Sequence, residues 1–445
     1  MTSTEVEKPG GRVAHVGAEP SIAPGPPKTV RRRRLRDRLS RAVILRLLGG
    51  VHDGALAITE DGVRRVFGAP VEGLAVPELT VRSPAAWTAV ATGGSSGLGR
   101  AFFSGWWTVD DLDDLVVAVR VIIRNLDPTE HVQLLAHRLL APVLWARVRF
   151  FERLGQRRAD RRNISAHYDL SNEFFSLFLD ETMTYSCALF ASAGISLAEA
   201  QTAKLDRLCR KLELTATDHV LEIGTGWGSF AIHAARAYGC RVTTTTLSRR
   251  QFELATKRVA NAGLADRVTV LQSDYRDLTG AYDRLVSVEM IEAVDWREYP
   301  RFFAKCAELL KPEGLMALQA ITIADRYFER ARQSRDFIKR HVFPGGCLPS
   351  VGAILATTAR HTDFELVALE DIGPNYAETL NRWRVGLESH AVGLDALGLD
   401  ETFHRLFDFY LCYCEAAFLE RRIGDVQCLF ARSRWRAAGP GAPRP

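Results

Sequence analysis

The sequence predicts an α/β protein, a sheet with covered faces preceded by a small α+β module, on three observations. Strand-like runs at 218–223, 241–246, 267–272, 284–289, 315–321 and 364–369 alternate with segments of helical spacing. That alternation lays helices over both faces of one sheet. Next, Val220-Leu221-Glu222-Ile223 runs into Gly224-Thr225-Gly226-Trp227-Gly228, and Ser229–Tyr238 follows with helical spacing. A glycine loop between a strand's carboxyl end and a helix N-terminus leaves backbone N–H groups open to an electron-rich or carboxylate-bearing ligand. Finally, a chain of 445 residues can bury two cores, of about 100 and about 250 residues.

In chain order, residues 1–29 hold Pro20, Pro24, Pro26 and Pro27 among glycine and small polar residues and read as a disordered tail. Residues 436–445 read the same way. Residues 30–50 read as a basic amphipathic helix, with Leu35, Leu39, Val43, Ile44 and Leu47 at helical spacing opposite the arginines. Such a helix suits an anionic membrane surface. Nucleic acid is the rival partner and a solvated basic helix the plainer alternative.

Residues 51–160 form the small module, with strand-like Ala55–Ile58 and Leu79–Val81. Thr92-Gly93-Gly94-Ser95-Ser96-Gly97-Leu98-Gly99 resembles the nucleotide fingerprint of short-chain dehydrogenases. None of the ten tyrosines has a lysine four positions on, and Gly105-Trp106-Trp107 interrupts the helix that should follow. The stretch is therefore read as a glycine-rich loop. Thr108-x-x-Asp111 starts a helix whose apolar face runs from Leu112 to Leu126. A second apolar segment spans Leu134 to Phe151, and Trp106 and Trp107 are read as core rather than as a lipid entrance.

The net charge of +5 is modest, but the first fifty residues are strongly basic. Eight cysteines without paired zinc spacing read as reduced thiols, with no disulfide framework and no metal centre. No run of about 18 apolar residues and no signal peptide is visible. The expected location is cytoplasmic, at the membrane periphery.

The strand, the E-x-G-x-G-x-G loop and the helix together resemble the S-adenosylmethionine (AdoMet) site of Rossmann-like methyltransferases. Ahead of them lie Asn163-Ile164-Ser165-Ala166-His167-Tyr168-Asp169-Leu170-Ser171-Asn172 and Met183-Thr184-Tyr185-Ser186-Cys187-Ala188. Behind them come Thr246-Leu247-Ser248-x-x-Gln251, Asp274-Tyr275-Arg276-Asp277, Ser287-Val288-Glu289-Met290-Ile291-Glu292, Phe343-Pro344-Gly345-Gly346 and Tyr376-Ala377-Glu378-Thr379-Leu380. This ordered set closely resembles the cyclopropane-fatty-acyl-phospholipid synthases and mycobacterial lipid methyltransferases, over about 163 to 430. The variants Ser-Val-Glu-Met-Ile-Glu-Ala and Gln319-Ala320-Ile321-Thr322 look like an actinobacterial branch linked to tuberculostearic acid.

The resemblance implies a Rossmann-like class I AdoMet-dependent methyltransferase domain at 161–435 behind a lipid-binding α+β domain at 51–160. It implies conversion of an oleoyl chain in phospholipid to a 10-methylene chain, with cyclopropanation as the nearest rival reaction. A cis alkene is a weak nucleophile, so attack on the sulfonium methyl leaves a carbocation. A base then removes a proton, either from the new methyl to close a cyclopropane or after a hydride shift to give a methylene. The chemistry needs a cofactor cradle, a dry tunnel and an anion beside the cation.

For the cradle the resemblance assigns Glu222, Gly224 and Gly226, with Tyr185 and Ser186 beside the methionine portion. Thr246, Leu247 and Gln251 take the ribose position, and Asp274 and Tyr275 face the adenine. For the anion it implies bicarbonate held by Cys187, Glu292, Gln319, Ile321 and Tyr376. The departure is at Gln319 and Ala293, where the cyclopropane synthases have histidine; a glutamine amide donates to an anion but takes up no proton near neutral pH. Phe174, Phe175, Phe178, Phe190, Phe337, Phe343, Trp383 and Phe407 supply apolar surface for a tunnel or for the core. A phospholipid membrane surface, a flavoprotein reductase and a homo-oligomer are the implied partners, and no nucleic acid is expected. A methyltransferase for carrier-bound or diffusible substrates and a non-catalytic lipid-binding protein are the competing functions.

Overall fold

The computed structural model describes residues 34–126, 170–192 and 194–437. The tail at 1–29, Arg31–Arg33 of the basic run, the apolar segment Leu134–Phe151, the motif from Asn163 to Asp169 and residues 438–445 lie outside the described residues.

The amino-terminal module carries a four-stranded sheet in the order β2-β1-β3-β4. Its strands are β1 (Gly54–Glu60), β2 (Val63–Ala69), β3 (Glu78–Val81) and β4 (Trp107–Thr108). Three helices pack around it: α1 (Leu35–Leu48), α2 (Ala85–Phe103) and α3 (Leu112–Arg124). The expected glycine-rich loop at 92–99 is instead inside α2, kinked at Gly94, where φ is 52°. Two of its glycines, Gly97 and Gly99, serve close packing: a Cβ at Gly99 would lie 2.4 Å from the Phe337 ring and 2.9 Å from that of Phe409. The start of α3 also differs from the expected cap. Asp111, not Thr108, is the N-cap, its side chain accepting from the Asp113 backbone N–H. Trp107 is buried and donates its indole N–H to the Leu98 carbonyl at 3.1 Å, as a core residue.

The helix α1 is present, but its apolar residues do not all face the core. Asp37 is buried and accepts from the Thr88 hydroxyl at 2.6 Å, and Arg41 pairs with buried Glu60 at 2.6 Å. Leu35, Leu39 and Val43 remain 73%, 56% and 43% exposed on the other side.

The second sheet has seven strands in the order β10-β11-β9-β8-β5-β6-β7. These are β5 (His219–Ile223), β6 (Arg241–Thr246), β7 (Val268–Gln272), β8 (Tyr282–Val288), β9 (Leu310–Ile323), β10 (Glu365–Asp371) and β11 (Ile423–Ala431). Strands β7, β6, β5, β8 and β9 pair in parallel, while β11 runs antiparallel between β9 and β10. All six expected strands are present, and β11 is the addition. Alternation along the strands feeds two cores: Leu221, Met316 and Leu318 pack with Phe302 and Phe303, and Val220, Leu315 and Ala317 with Leu208 and Phe230.

A third core joins the two sheets' domains. Val116, Val119 and Phe102 of the module pack with Phe409, Leu411 and Cys412 of the helix Glu401–Leu419. Arg120 and Arg124 both reach Glu420, at 2.7 and 2.8 Å, and buried Arg384 bridges Glu415 and Asp113. All eight cysteines are free thiols, seven of them buried.

Candidate active site

The strand order reverses around β5, so loops following β5, β8 and the neighbouring β9 converge at the sheet's carboxyl edge, where ligands of open α/β folds bind. After β5, Gly224 adopts φ 107° and Gly226 φ 51°, conformations open to glycine at little cost. The N–H groups of Gly224 and Thr225 are tied to the Thr245 carbonyl at 3.1 and 3.0 Å. A Cβ at Gly226 would meet no atom within 4 Å, so the loop presents bare backbone at its tip.

Glu222 stands beneath this loop rather than on its open face. It is buried and accepts from the Thr244 hydroxyl at 2.6 Å, and Thr244 in turn meets the Thr225 hydroxyl at 2.7 Å. Burial pushes its carboxyl up to about 8. Its part is to hold the loop from below. At the end of β6, Thr246 donates to the Gln251 side chain at 2.8 Å, and Leu247 is 70% exposed beside them. After β7, Asp274 is gripped by the backbone and guanidinium of Arg276, both at 2.9 Å, which holds its carboxyl low. Tyr275 turns its ring edge-on to Phe302 at 5.5 Å. These two residues therefore already have protein partners where the resemblance sets them facing adenine.

The segment 170–192 folds over the loop. The Trp227 indole donates to Asn172 at 2.7 Å, Ser229 donates to the Thr182 carbonyl at 2.6 Å, and Arg258 donates to the Trp227 carbonyl at 2.8 Å. Ser186 lies inside that fold, its hydroxyl accepting from fully buried Lys204 at 2.6 Å. Tyr185 stacks on Trp383 with centroids 5.0 Å apart and shares a 2.8 Å hydrogen bond with the Tyr410 hydroxyl.

At the end of β8 the expected strand stops one residue early. Val288 is its last member, and Glu289 turns off at φ 49°. That turn makes Glu289, a residue sequence reasoning passed over, the point on which residues assigned to the anion converge. One carboxylate oxygen accepts from the Cys187 backbone N–H at 2.8 Å and from the Gln319 amide at 2.7 Å, and the other accepts from the Tyr376 hydroxyl at 2.6 Å. Three of the five groups assigned to bicarbonate thus converge on a side chain of the protein itself.

The other two form a separate pair. Glu292 accepts from the Ile321 backbone N–H at 2.5 Å, and its second oxygen has no hydrogen-bond partner among the described residues. Burial, with Glu289 nearby, pushes its carboxyl up to about 8. Cys187 contributes its backbone alone. Its thiol is buried, pushed well up by desolvation, and bonded to the Ala188 carbonyl at 3.2 Å.

Two further buried ionisable groups were missed. Asp425 of β11 accepts from the Gln319 amide at 3.1 Å, and burial beside Glu289 and Glu292 pushes it well up. Lys204 has its pKa lowered by burial against the pull of Glu289 and Asp425. Among the candidate tunnel residues, Phe174, Phe175, Phe178, Trp383 and Phe407 lie in one aromatic cluster with Tyr185. Phe337 packs instead against Phe409, Phe190 lies beside Arg382, and Phe343 meets Tyr410 at 5.9 Å.

Residues 155–428 match the family model described as mycolic acid cyclopropane synthetase. The tuberculostearic acid methyltransferase of Mycobacterium tuberculosis is 41% identical over 77% of this chain and 80% of its own length. The cyclopropane-fatty-acyl-phospholipid synthase of Escherichia coli strain K12 is 35% identical over 82% of this chain and 90% of its own. A crystal structure of a mycolic acid cyclopropane synthase complexed with SAH and CTAB superposes with a TM-score of 0.56 and 32% identity. It covers 61% of this chain and 97% of the solved one.

Proposed function

The chain belongs to the mycolic acid cyclopropane synthetase family of AdoMet-dependent enzymes, and from that membership we propose that it methylates the cis double bond of oleoyl chains in phospholipid to give 10-methylene chains. The observation that carries the reading is the Glu289 carboxylate held by Cys187, Gln319 and Tyr376.

AdoMet, when bound, supplies an electrophilic methyl group. The bare backbone around Gly226, with Thr246, Leu247 and Gln251 beside it, suits that donor. SAH in the related cyclopropane synthase supports the same assignment. Alkene attack through one olefinic carbon leaves a cation on the other. A hydride shift moves that cation to the methyl-bearing carbon, and Glu289 takes a proton from the methyl while the C–H pair forms the exocyclic double bond. Glu289 needs no external base, because its carboxylate occupies donors that would otherwise hold bicarbonate; no step here passes through bicarbonate. Tyr185, Trp383 and Phe178 line apolar surface that excludes water and stabilises a nearby cation through their ring faces.

Cyclopropanation from the same first cation is the second reading, favoured by the 35% identical cyclopropane-fatty-acyl-phospholipid synthase. The two differ in when the proton leaves. The phospholipid surface is engaged through α1, whose exposed Leu35, Leu39 and Val43 lie among Arg34, Arg36, Arg38 and Arg46. Among the described residues no helix is long and apolar enough to cross a membrane. A flavoprotein reductase would consume the methylene product, and a homo-oligomer is compatible with this arrangement.

The test is purified protein given methyl-labelled AdoMet and vesicles of dioleoyl phospholipid. Label in the acyl chains that ozonolysis releases as formaldehyde, leaving a ketone at the chain carbon that bore the methylene, is the expected result. No label in the hydrocarbon would sink the proposed reaction.

A further inference from the structure

Gln319 is a neutral amide, and which end it turns to Glu289 decides whether it helps or opposes the carboxylate. The surrounding hydrogen bonds form a directed chain that leaves one answer. Lys211, the last residue of the helix Leu197–Lys211, has an ammonium with donors only, and it donates to the Gln427 side-chain oxygen at 2.7 Å. Gln427 must then turn its NH2 the other way, where it donates to the Gln319 oxygen at 3.0 Å. The Gln319 NH2 is left facing Glu289 at 2.7 Å and Asp425 at 3.1 Å.

The fold supports this placement. Gln427 and Gln319 are paired across β11 and β9, and both are buried, at 1% and 0% exposure, so water does not compete for their amides. Lys211 is held at the outer end by Glu370 of the edge strand β10 at 2.7 Å, with Arg207 on the other Glu370 oxygen at 2.7 Å. Two buried primary amides in series carry orientation without carrying charge.

We propose that Lys211 and Gln427 are positioning residues for the methyltransfer reaction, a polar relay that locks the Gln319 NH2 toward Glu289. The proposal rests on Glu289 being the base. A flipped Gln319 would set its carbonyl against the carboxylate, replacing attraction with repulsion at hydrogen-bond distance.

The experiment measures methyl transfer to dioleoyl phospholipid vesicles by Lys211→Met, Gln427→Leu, the double variant and Lys211→Arg, with AdoMet affinity as the fold control. Each of the first two is expected to lower kcat about tenfold with KM unchanged, the scale of one hydrogen bond to a charged group. The double variant should match Gln427→Leu alone, since the relay is already cut, and Lys211→Arg should recover most of kcat. Gln427→Glu keeps the lysine contact but lacks the N–H for Gln319, so it should be as slow as the leucine variant; it supplies the deciding arm where that variant loses AdoMet affinity. Parental kcat in Lys211→Met, or multiplying losses in the double variant, would overturn the relay. A parent that methylates no lipid overturns the reaction itself, and the relay with it.

Discussion

Glu289 and Gln319 are hydrogen-bonded to each other twice. The Glu289 backbone N–H donates to the Gln319 carbonyl at 2.8 Å, and the Gln319 side-chain amide donates back to the Glu289 carboxylate at 2.7 Å. The backbone bond fixes where β8 ends against β9, and the side-chain bond fixes where the carboxylate points. A carboxyl group held at both root and tip has little freedom left to lose in any reaction it takes part in.

Replacing that carboxylate by an isosteric amide should separate chemistry from architecture. In Glu289→Gln the side-chain oxygen can still accept from Tyr376 or Cys187, but the amide is no base. We expect kcat to fall by about 10²–10⁴, the range a positioned general base contributes, with AdoMet affinity nearly unchanged. Single-turnover label transfer beside calorimetric AdoMet titration checks this. A variant retaining a tenth or more of parental kcat would remove Glu289 from the base role.

How much of this was legible beforehand depended on which force placed each residue. The six expected strands were readable because their apolar runs are buried in parallel pairing, and the glycine loop because φ values of 107° and 51° at Gly224 and Gly226 suit glycine. β11 escaped because Gly424, Asp425 and Gln427 interrupt its apolar character. Those last two polar residues are buried in hydrogen bonds with Gln319, so a buried polar cluster overrode the apolar pattern. The alternation of Asp425 and Gln427 with Val426 and Cys428 was the available signal. Glu289 escaped because the strand was extended through it, and a left-handed turn at a non-glycine residue leaves no compositional mark. Cys187 meets Glu289 through its backbone N–H rather than its thiol, a contact that side-chain chemistry does not reveal.

Glu222 should give a pH signature in stability. Its carboxyl, ordinarily near 4.5, is pushed up to about 8 by burial in the folded state. The folded protein then keeps a proton that the unfolded chain has lost. That contribution is fully present below pH 4.5 and declines as pH rises toward 8, at about 1.4 kcal/mol per unit. Glu222→Gln removes the titration while its carbonyl still accepts from Thr244. Urea midpoints at pH 5 and pH 8 should show the variant gaining on the parent as pH rises. A difference that stays constant between the two would contradict a proton retained on Glu222.

The exposed side of α1 makes a prediction about lipid. Burying Leu35 and Leu39 in a bilayer interface is worth about 1.5–3 kcal/mol for each fully buried side chain, and the neighbouring arginines add a salt-sensitive attraction. Leu35→Asp combined with Leu39→Asp should weaken co-sedimentation with anionic vesicles by at least about tenfold, an amount well below full loss of two leucines. AdoMet affinity should not change, and parental binding should weaken as salt rises. Vesicle binding equal to the parent's would show that α1 does not meet the membrane.

Product choice should respond to Gln319 itself. The amide donates to Glu289 and Asp425 while its oxygen accepts from Gln427. An imidazole in its place has two ring nitrogens for three partners, and it can take up a proton near neutral pH. In Gln319→His one of these contacts must be lost, so the carboxylate shifts relative to the cation. Proton removal then competes earlier with the hydride shift, and the cyclopropane share of the product should rise against methylene. Gas chromatography of the fatty acid esters, with ozonolysis marking methylene chains, gives the ratio directly. A ratio identical to the parent's would mean that Gln319 orients Glu289 without governing when the proton leaves, and timing would then have to reside elsewhere, with the aromatic cluster of Tyr185, Trp383 and Phe178 the next place to test.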